Sequence, residues 1–292
     1  MRALLATISL ALMTGTAFAA PVNVVASFSI LGDMVKQVGG DRVAVTTIVG
    51  PNADTHVYEP RPQDAAVLSG ARAFFVNGLG FEGWLARLVE ATGFKGEVVT
   101  ASDGVVTHAM DEGGQAITDP HAWQSLANGQ IYVRNIAKGL CAVDAEGCAT
   151  YEANAAAYSA QLAALDADVK AAIAAVPETQ RKVITTHDAF GYFAEAYGVR
   201  FLAPEGISTD SEASAADVAK LIDQVKHDGV KALFIENMSD PRLVQQIAAE
   251  TGAKLGGALY ADALSEPAEG AATYLEMFKY NVALLVPALE GK

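Results

Sequence analysis

The sequence predicts an α/β protein with two lobes, each with a mostly parallel sheet flanked by helices, joined by one long rigid helix. In both halves of the chain, strand-like apolar runs alternate with helical segments, an order typical of parallel sheets covered on both faces. Between the halves lies a long alanine-rich stretch with helical periodicity. Both halves also contain the order glycine, strand, loop and helix, in GARAFFVNGLGFEGW and GVKALFIENMSDPRL.

Residues 1–19 are expected to be a secretory signal peptide. Arg2 precedes an apolar run that ends in Ala17-Phe18-Ala19, a pattern typical of cleavage near Ala19 or Ala20. The run is shorter than the roughly twenty apolar residues that a membrane span needs. We therefore expect a periplasmic protein with the signal peptide removed. Its expected parts are an N-terminal lobe (20–147), a linking helix (148–177) and a C-terminal lobe (178–292).

In the first lobe, Ser29 is predicted as the N-cap of the first helix and Gly39-Gly40 as its end. The predicted strands are VNVVASF, VAVTTIV, AFFVN and EVVTAS. The predicted helices are ILGDMVKQVGG, RPQDAAVLSGA and FEGWLARLVEATG.

The linking helix is predicted from one apolar stripe that ends before Pro177. Its members recur at intervals of seven, four and three residues: Tyr151, Tyr158, Leu162, Leu165, Val169, Ile173 and Val176. At 1.5 Å per residue, such a helix is about 40 Å long. That length indicates a strut between the lobes, which should resist wide hinge opening and allow only loop motion and small lobe shifts.

In the second lobe the alternation starts again. The predicted strands are KVITT, VRFLA, KALFIE and KLGGALYA, and the predicted helices are FGYFAEAYG, AADVAKLIDQVKHDG and DPRLVQQIAAETG. A terminal helix, GAATYLEMFKYNVALLVPAL, follows.

The composition restricts the partners and the redox chemistry. The formal net charge of −14 argues against nucleic acid and anionic membranes as partners. Cys141 and Cys148, separated by AVDAEG, predict a local disulfide in an exported protein. A two-cysteine metal site is the alternative, but the spacing is unlike CxxC and no histidine is near.

The loop NGLGFEG contains a formal GxGxxG, formed by Gly78, Gly80 and Gly83. Taken alone, this motif suggests a dinucleotide site. However, it follows the third strand rather than the first, and NAD is scarce outside the cell. We therefore predict that these glycines form a tight turn.

Three histidines and one aspartate are the candidate metal ligands. His56 follows the second strand, His187 ends KVITT, and Asp262 follows GALYA, so all three lie where open α/β sheets bind ligands. His121 lies in the stretch DPHAWQS. A cleft between the lobes would bring the four together, although dispersed histidines are often structural. Three imidazoles and a carboxylate suit zinc, whereas Mn²⁺ favours more carboxylates.

Five stretches carry a family resemblance: GPNADTHVYEPRPQD, NGLGFEGW, DPHAWQS, THDAFGYFAEAYGV and LYADALS. Together they resemble the metal-specific solute-binding proteins of bacterial ABC transporters, the zinc and manganese group, across essentially the whole mature chain. The resemblance implies Zn(II) capture by His56, His121, His187 and Asp262, and delivery to an ABC permease in the inner membrane. Manganese members place a glutamate where His187 stands, so zinc is expected and Mn(II) is the alternative.

The surroundings of these residues carry further expectations. Pro120 and Trp123 should stiffen the loop that presents His121, with Asp119 or Glu59 as hydrogen-bond acceptors that fix an imidazole tautomer. Because binding needs deprotonated imidazoles, affinity should fall as the pH drops below the ordinary histidine range near ~6.5.

The two remaining histidines are expected to lie outside the main site. His227 lies at a helix end, where a cation favours the dipole. His108 lies in the glycine-rich stretch 104–118, which we expect to be mobile. Zinc-binding members of the family often carry a long histidine-rich loop there, and this one is short. His108, Asp111 and Glu112 form at most a weak transient metal site.

Other functions are weighed against transport. A zinc-dependent hydrolase usually keeps one metal position open for water beside three protein ligands. Four protein ligands would close the site, so we expect no enzymatic activity. A periplasmic zinc metallochaperone is a candidate partner, the protein is expected to be a monomer, and an adhesin role on the same scaffold stays open.

Overall fold

The computed structural model describes residues 20–112, 115–206, 208–209, 214–230 and 232–292, apart from the side chains of residues 110–112, 115 and 217. The predicted signal peptide lies outside the described residues. The strands are Val22–Phe28 (β1), Val43–Val49 (β2), Ala73–Val76 (β3), Glu97–Thr100 (β4), Ala109–Glu112 (β5), Gln115–Thr118 (β6), Lys182–Ile184 (β7), Arg200–Leu202 (β8), Ala232–Glu236 (β9) and Lys254–Leu259 (β10).

The α-helices are Ser29–Gly39 (α1), Pro62–Ser69 (α2), Leu85–Thr92 (α3), Leu126–Val143 (α4), Cys148–Ala174 (α5), Gly191–Tyr197 (α6), Ala215–Asp228 (α7), Arg242–Thr251 (α8) and Tyr274–Glu290 (α9). Short 3-10 helices span Gly40–Arg42, Ala122–Gln124, Ala145–Gly147 and Glu178–Gln180. Among the described residues, no helix combines the length and apolar character that crossing a bilayer requires.

The two large sheets have the same connectivity. The first lobe contains the sheet β2-β1-β3-β4 and the second contains β10-β9-β7-β8. All the paired strands in both sheets are parallel. When the four strands of each lobe are numbered along the chain, both orders become 2-1-3-4. The predicted two-lobe α/β fold is therefore confirmed, and the pattern shared by the two halves reflects a shared topology.

Helix α5 joins the lobes over 27 residues. The predicted apolar stripe is buried along its length, from Tyr151 to Ile173. Helix α9 packs against α5 and α1, so the C-terminal end of the chain returns to the first lobe. One large core runs through the first lobe, α5 and α9, and a smaller core lies beneath α7 and α8. Packing along the length of α5 restrains the lobes from swinging apart.

One local expectation was wrong. Ser29 is the first residue of α1 and makes no capping bond, because its hydroxyl instead accepts from the Leu264 N–H of the second lobe at 2.9 Å. The stretch 104–118 also contains an antiparallel hairpin that the sequence analysis did not predict, in which Ala109 pairs with Thr118. Alternate residues of a short polar strand carry too little apolar signal to predict that pairing.

The disulfide predicted between Cys141 and Cys148 is present, with an S–S distance of 2.01 Å. It joins the last turn of α4 to the first residue of α5. Asp144, between the two cysteines, accepts from the Arg42 guanidinium at 2.9 Å and from the Tyr151 hydroxyl at 2.6 Å. The cysteine pair therefore fixes a corner between helices and leaves no thiolate for a metal.

Candidate metal centre

Four loops at the carboxyl ends of the strands carry the candidate ligands. His56 lies in the turn region after β2, and His187 lies in the loop after β7. Asp262 lies in the turn after β10, and His121 directly precedes the 3-10 helix Ala122–Gln124. Two of these loops belong to each lobe, so the four side chains meet only because the lobes face one another.

The ligand atoms of the four side chains converge. His56 Nε2 lies 3.3 Å from His121 Nε2 and 3.3 Å from Asp262 Oδ2. His187 Nε2 lies 3.1 Å from Asp262 Oδ2, and His121 Nε2 lies 3.7 Å from Asp262 Oδ1. One ligand atom from each residue lies within 4.8 Å of all the others. The convergence predicted from the sequence is therefore present in the fold.

Several buried polar atoms of this cluster make no well-formed hydrogen bond with a described residue, as is expected of atoms that bind a cation. His121, His187 and Asp262 are fully buried. Among the described residues, neither Asp262 oxygen nor His187 Nε2 makes a hydrogen bond of good geometry, although His187 Nε2 and Asp262 Oδ2 lie 3.1 Å apart. Buried polar atoms without partners are costly and rare. When the imidazoles are deprotonated, the lone pairs of their nitrogens and of the Asp262 carboxylate face a common point, and such a cluster can bind a divalent cation.

Two buried carboxylates hold the imidazoles from behind. Asp119 Oδ1 lies 2.8 Å from His121 Nδ1 and accepts from the His121 backbone N–H at 2.9 Å. Glu236 Oε2 lies 2.5 Å from His187 Nδ1, and Glu236 Oε1 accepts from the His187 backbone N–H at 3.0 Å. A carboxylate on Nδ1 leaves Nε2 as the ligand atom and raises its basicity.

Of the two acceptors proposed from the sequence, the structure places only Asp119 against an imidazole, whereas Glu59 is exposed. The sequence analysis missed Glu236. A signal was available, because Glu236 is the last residue of β9 and therefore lies at the same sheet edge as His187 and Asp262. The strand rule that selected those two residues would have selected Glu236 as well.

Charges in the cluster control its protonation. Burial alone would lower the pKa of His121, but Asp262 and Asp119 raise it to about 9. Burial alone would also lower the pKa of His187, but Glu236 and Asp262 raise it well above its usual value. Burial would raise the pKa of Asp262, yet the two imidazoles hold it well below its ordinary range. His121 and His187 therefore hold a proton more tightly than an ordinary histidine does.

His108 has a different setting from the one expected. Its ring stacks on Tyr192, with centroids 4.1 Å apart, and its nitrogens lie 3.3 Å from Asp119 Oδ2 and 3.5 Å from Glu195 Oε2. His108 therefore contacts α6 through Tyr192 and Glu195, and it also contacts the same Asp119 that holds His121. The side chains of Asp111 and Glu112 lie outside the described part of the chain.

Hydrogen bonds across the lobe boundary hold the ligand loops in place. The Trp123 indole N–H and the Gln124 amide both donate to the Ala261 carbonyl, at 2.9 and 2.8 Å. The Tyr274 hydroxyl donates to the Trp123 carbonyl. Because Ala261 directly precedes Asp262, these bonds fix the carboxylate relative to the loop of His121.

The Glu82 side chain occupies the interior of the GxGxxG turn to which it belongs. Gly78 and Gly80 have φ values of 81° and 86°, which only glycine adopts without strain. Glu82 is buried and accepts from the Asn77 and Gly78 backbone N–H groups at 2.6 and 3.1 Å, and from Ser27 Oγ at 2.6 Å. The N–H groups that would bind a pyrophosphate are therefore already occupied, which supports the tight-turn interpretation.

Two parallel-sheet lobes around a buried set of imidazole and carboxylate ligand atoms define an extracytoplasmic metal-binding protein of the solute-binding class. A family model described as ZnuA, zinc-uptake complex component A, periplasmic, matches residues 24–288. The chain belongs to that family, whose members are solute-binding components of metal ABC transporters and not enzymes.

Individual relatives are named for different metals. The manganese-binding lipoprotein MntA of Halalkalibacterium halodurans is 35% identical over 268 residues, which cover 92% of this chain and 88% of that protein. The iron ABC transporter substrate-binding lipoprotein MtsA of Streptococcus pyogenes is 34% identical over 277 residues, covering 92% and 89%.

Solved structures share the fold at similar coverage. The periplasmic zinc binding protein TroA from Treponema pallidum matches with a TM-score of 0.87 at 28% identity, over 92% of this chain and 99% of that chain. A Mn-bound periplasmic metal binding protein from Candidatus Liberibacter asiaticus matches with a TM-score of 0.83 at 31% identity, with the same coverage.

The turn at Glu82 gives a prediction about stability. Glu82→Leu leaves the buried Asn77 N–H and the part-buried Gly78 N–H without an acceptor, so it should lower the free energy of unfolding by about 3 kcal/mol. Urea unfolding of the metal-free protein measures this loss. The matched control is Glu90→Leu, an exposed position on α3, which should change stability by less than about 0.5 kcal/mol. Equal stability of the two variants would contradict the role given to Glu82.

Proposed function

We propose that this protein captures Zn(II) between its lobes and delivers the ion to the permease of its ABC transporter. The proposed ligands are His56 Nε2, His121 Nε2, His187 Nε2 and a carboxylate oxygen of Asp262. A permease partner follows from membership of the family. We propose the identity of the metal, the four ligands and the delivery of zinc to that permease.

The spacing of the ligand atoms carries the proposal. Four donors bound tetrahedrally to zinc at about 2.0–2.1 Å are separated from one another by about 3.3 Å. With Asp262 Oδ2 as the fourth donor, three of the six separations are 3.1 to 3.3 Å, and all six lie within 4.8 Å. Side chains that already have this spacing need little rearrangement to surround one ion.

The donor chemistry favours zinc over manganese. Imidazole nitrogen ligands suit zinc, whereas carboxylate and water oxygens suit Mn²⁺. His187 is the decisive position, because an imidazole there gives three nitrogens and one oxygen. Mn(II) is the alternative that the named relatives suggest, since one is called manganese-binding and another an iron transporter lipoprotein. A zinc-dependent hydrolase is disfavoured, because four protein donors leave no position for an attacking water.

The cellular setting belongs to the same proposal. We place the protein in the periplasm, with residues 1–19 removed and lobes at 20–147 and 178–292 joined by the linking helix 148–177. We propose that it acts as a monomer and that a periplasmic zinc metallochaperone loads it. Support comes from the signal-like N-terminal sequence, the bounds of α5 and the family description as periplasmic.

The identity of the metal is tested at His187. Native mass spectrometry of protein purified without added metal should show one zinc ion per chain. His187→Glu should lower zinc affinity at least about tenfold and raise the Mn-to-Zn ratio in mixed-metal competition, because one nitrogen ligand becomes an oxygen.

The matched control is His227→Glu, an exposed histidine at the end of α7, which should leave both measurements unchanged. Manganese bound in preference to zinc by the unaltered protein would contradict the proposal.

Proton release gives a second prediction. Because the pKa of His121 is raised to about 9 and that of His187 lies well above its usual value, both imidazoles carry protons at pH 7.5 without metal. Zinc must displace these protons, so binding should release about two protons per ion. Affinity should accordingly rise as the pH increases from 7 towards about 9. This window lies above the one near ~6.5 that unperturbed histidines would give.

Calorimetric titration in two buffers of different ionisation enthalpy counts the released protons. Asp119→Asn removes the charge behind His121, so His121 should lose its proton at lower pH and fewer protons should be released at pH 7.5. Affinity that stays constant between pH 7 and 9, with no proton release, would contradict this account of the site.

A further inference from the structure

We propose that the metal enters and leaves through one particular cavity, which opens beside His56. The proposal rests on the zinc site described above and concerns how ions reach it. The cavity has a volume of about 500 Å³ and is bounded on one side by the turn containing Gly80, Phe81 and Gly83. On the other side lies β6, with Ile117 lining the wall.

Among the four ligands, only His56 lines this cavity. Its side chain is 5% exposed, whereas those of His121, His187 and Asp262 are 0% exposed. The small exposed fraction shows which side of the cluster reaches solvent. An ion that approaches from the cavity meets His56 before any other ligand.

His56 is also the least restrained imidazole. Carboxylates lie against Nδ1 of His121 and of His187, at 2.8 and 2.5 Å. In the part of the chain that the structure describes, no carboxylate lies within ion-pair distance of His56 Nδ1, and the ring instead meets the edge of Phe81, with centroids 4.8 Å apart. His56 therefore rotates at lower cost than ligands whose second nitrogen is held by a charge.

Among the described residues, the other three ligands reach solvent less than His56 does. Trp123 and Gln124 close the side towards Asp262 through their bonds to the Ala261 carbonyl. A neighbouring cavity, lined by Asp54, Glu205 and Leu243, contains none of the four ligands. Its carboxylates attract cations, but none of its lining residues is one of the four ligands.

The exchange step is a ligand substitution without electron transfer. A nitrogen, oxygen or sulfur donor from a chelator or partner enters the cavity and forms a bond to the metal. The bond between the metal and His56 Nε2 breaks, and the imidazole keeps the electron pair of that bond. The other three bonds then exchange in turn as the ion leaves.

The test narrows the cavity without touching a ligand. Gly83 is exposed, its φ lies outside the left-handed region, and a Cβ built there meets no atom within 4 Å. Gly83→Trp is therefore tolerated and places an indole beside the cavity. Ile117→Trp adds the same bulk from the opposite wall. The control is Gly50→Trp, an equally open glycine that does not line the cavity.

Stopped-flow mixing measures zinc binding and zinc transfer to a chromophoric chelator. We expect Gly83→Trp and Ile117→Trp to slow association and release together, by about tenfold, with less than a twofold change in Kd. Gly50→Trp should change neither rate. In the unaltered protein, the transfer rate should rise with chelator concentration, because the donor attacks before the ion leaves.

Three results would overturn the proposal. The first is unchanged rates in both tryptophan variants. The second is slowing only when the neighbouring cavity is filled by Leu243→Trp. The third is a transfer rate independent of chelator concentration. Failure of the unaltered protein to bind zinc would instead contradict the proposed function, so the two failures are distinguishable.

Discussion

The structure depends on one electrostatic constraint, the meeting of the buried Asp262 carboxylate with three imidazoles at the boundary between two lobes. A carboxylate removed from water is costly unless cations or donors surround it. Here the surroundings are His56, His121 and His187, with distances to the carboxylate oxygens of 3.1 to 3.7 Å. A cation or protons must occupy this cluster, and the choice between them links metal binding to pH.

The fold brings the four ligands together, and neighbouring polar groups fix the orientation of two of the imidazole rings. Two sheets with the same strand order present the carboxyl ends of their strands to a shared cleft. Asp119 and Glu236 then fix two of the imidazole rings from behind. Among the residues that the structure describes, no such carboxylate lies against the third ring, His56, which lines the cavity. The same cluster therefore contains well-restrained ligands and one that is easier to displace.

Much of this arrangement follows from the sequence because it depends on local periodicity. The strands β1 and β2 and the long helix α5 carry strong apolar patterns, and their bounds lie close to those predicted. The candidate ligands could be selected because each follows a strand or lies in a rigid loop. The family resemblance then made the set specific, although the same resemblance left the metal open.

What could not be predicted depends on contacts between distant segments. Ser29 looks like a helix cap until its partner, Leu264, is known to lie on the other lobe. His108 looks like a free ligand until Asp119 and Glu195 are placed beside it. The raised pKa values of His121 and His187 likewise depend on Asp262 and Glu236, which are far from these histidines in the sequence. Local propensity contains no information on such pairs, so only the three-dimensional arrangement of the lobes defines them.

X-ray absorption spectroscopy at the zinc edge of the loaded protein tests the central claim most directly. The account predicts a four-coordinate ion with nitrogen and oxygen neighbours at about 2.0–2.1 Å, and outer-shell scattering from three imidazole rings. A spectrum with sulfur neighbours, with fewer than three imidazoles, or with six oxygen neighbours would contradict it.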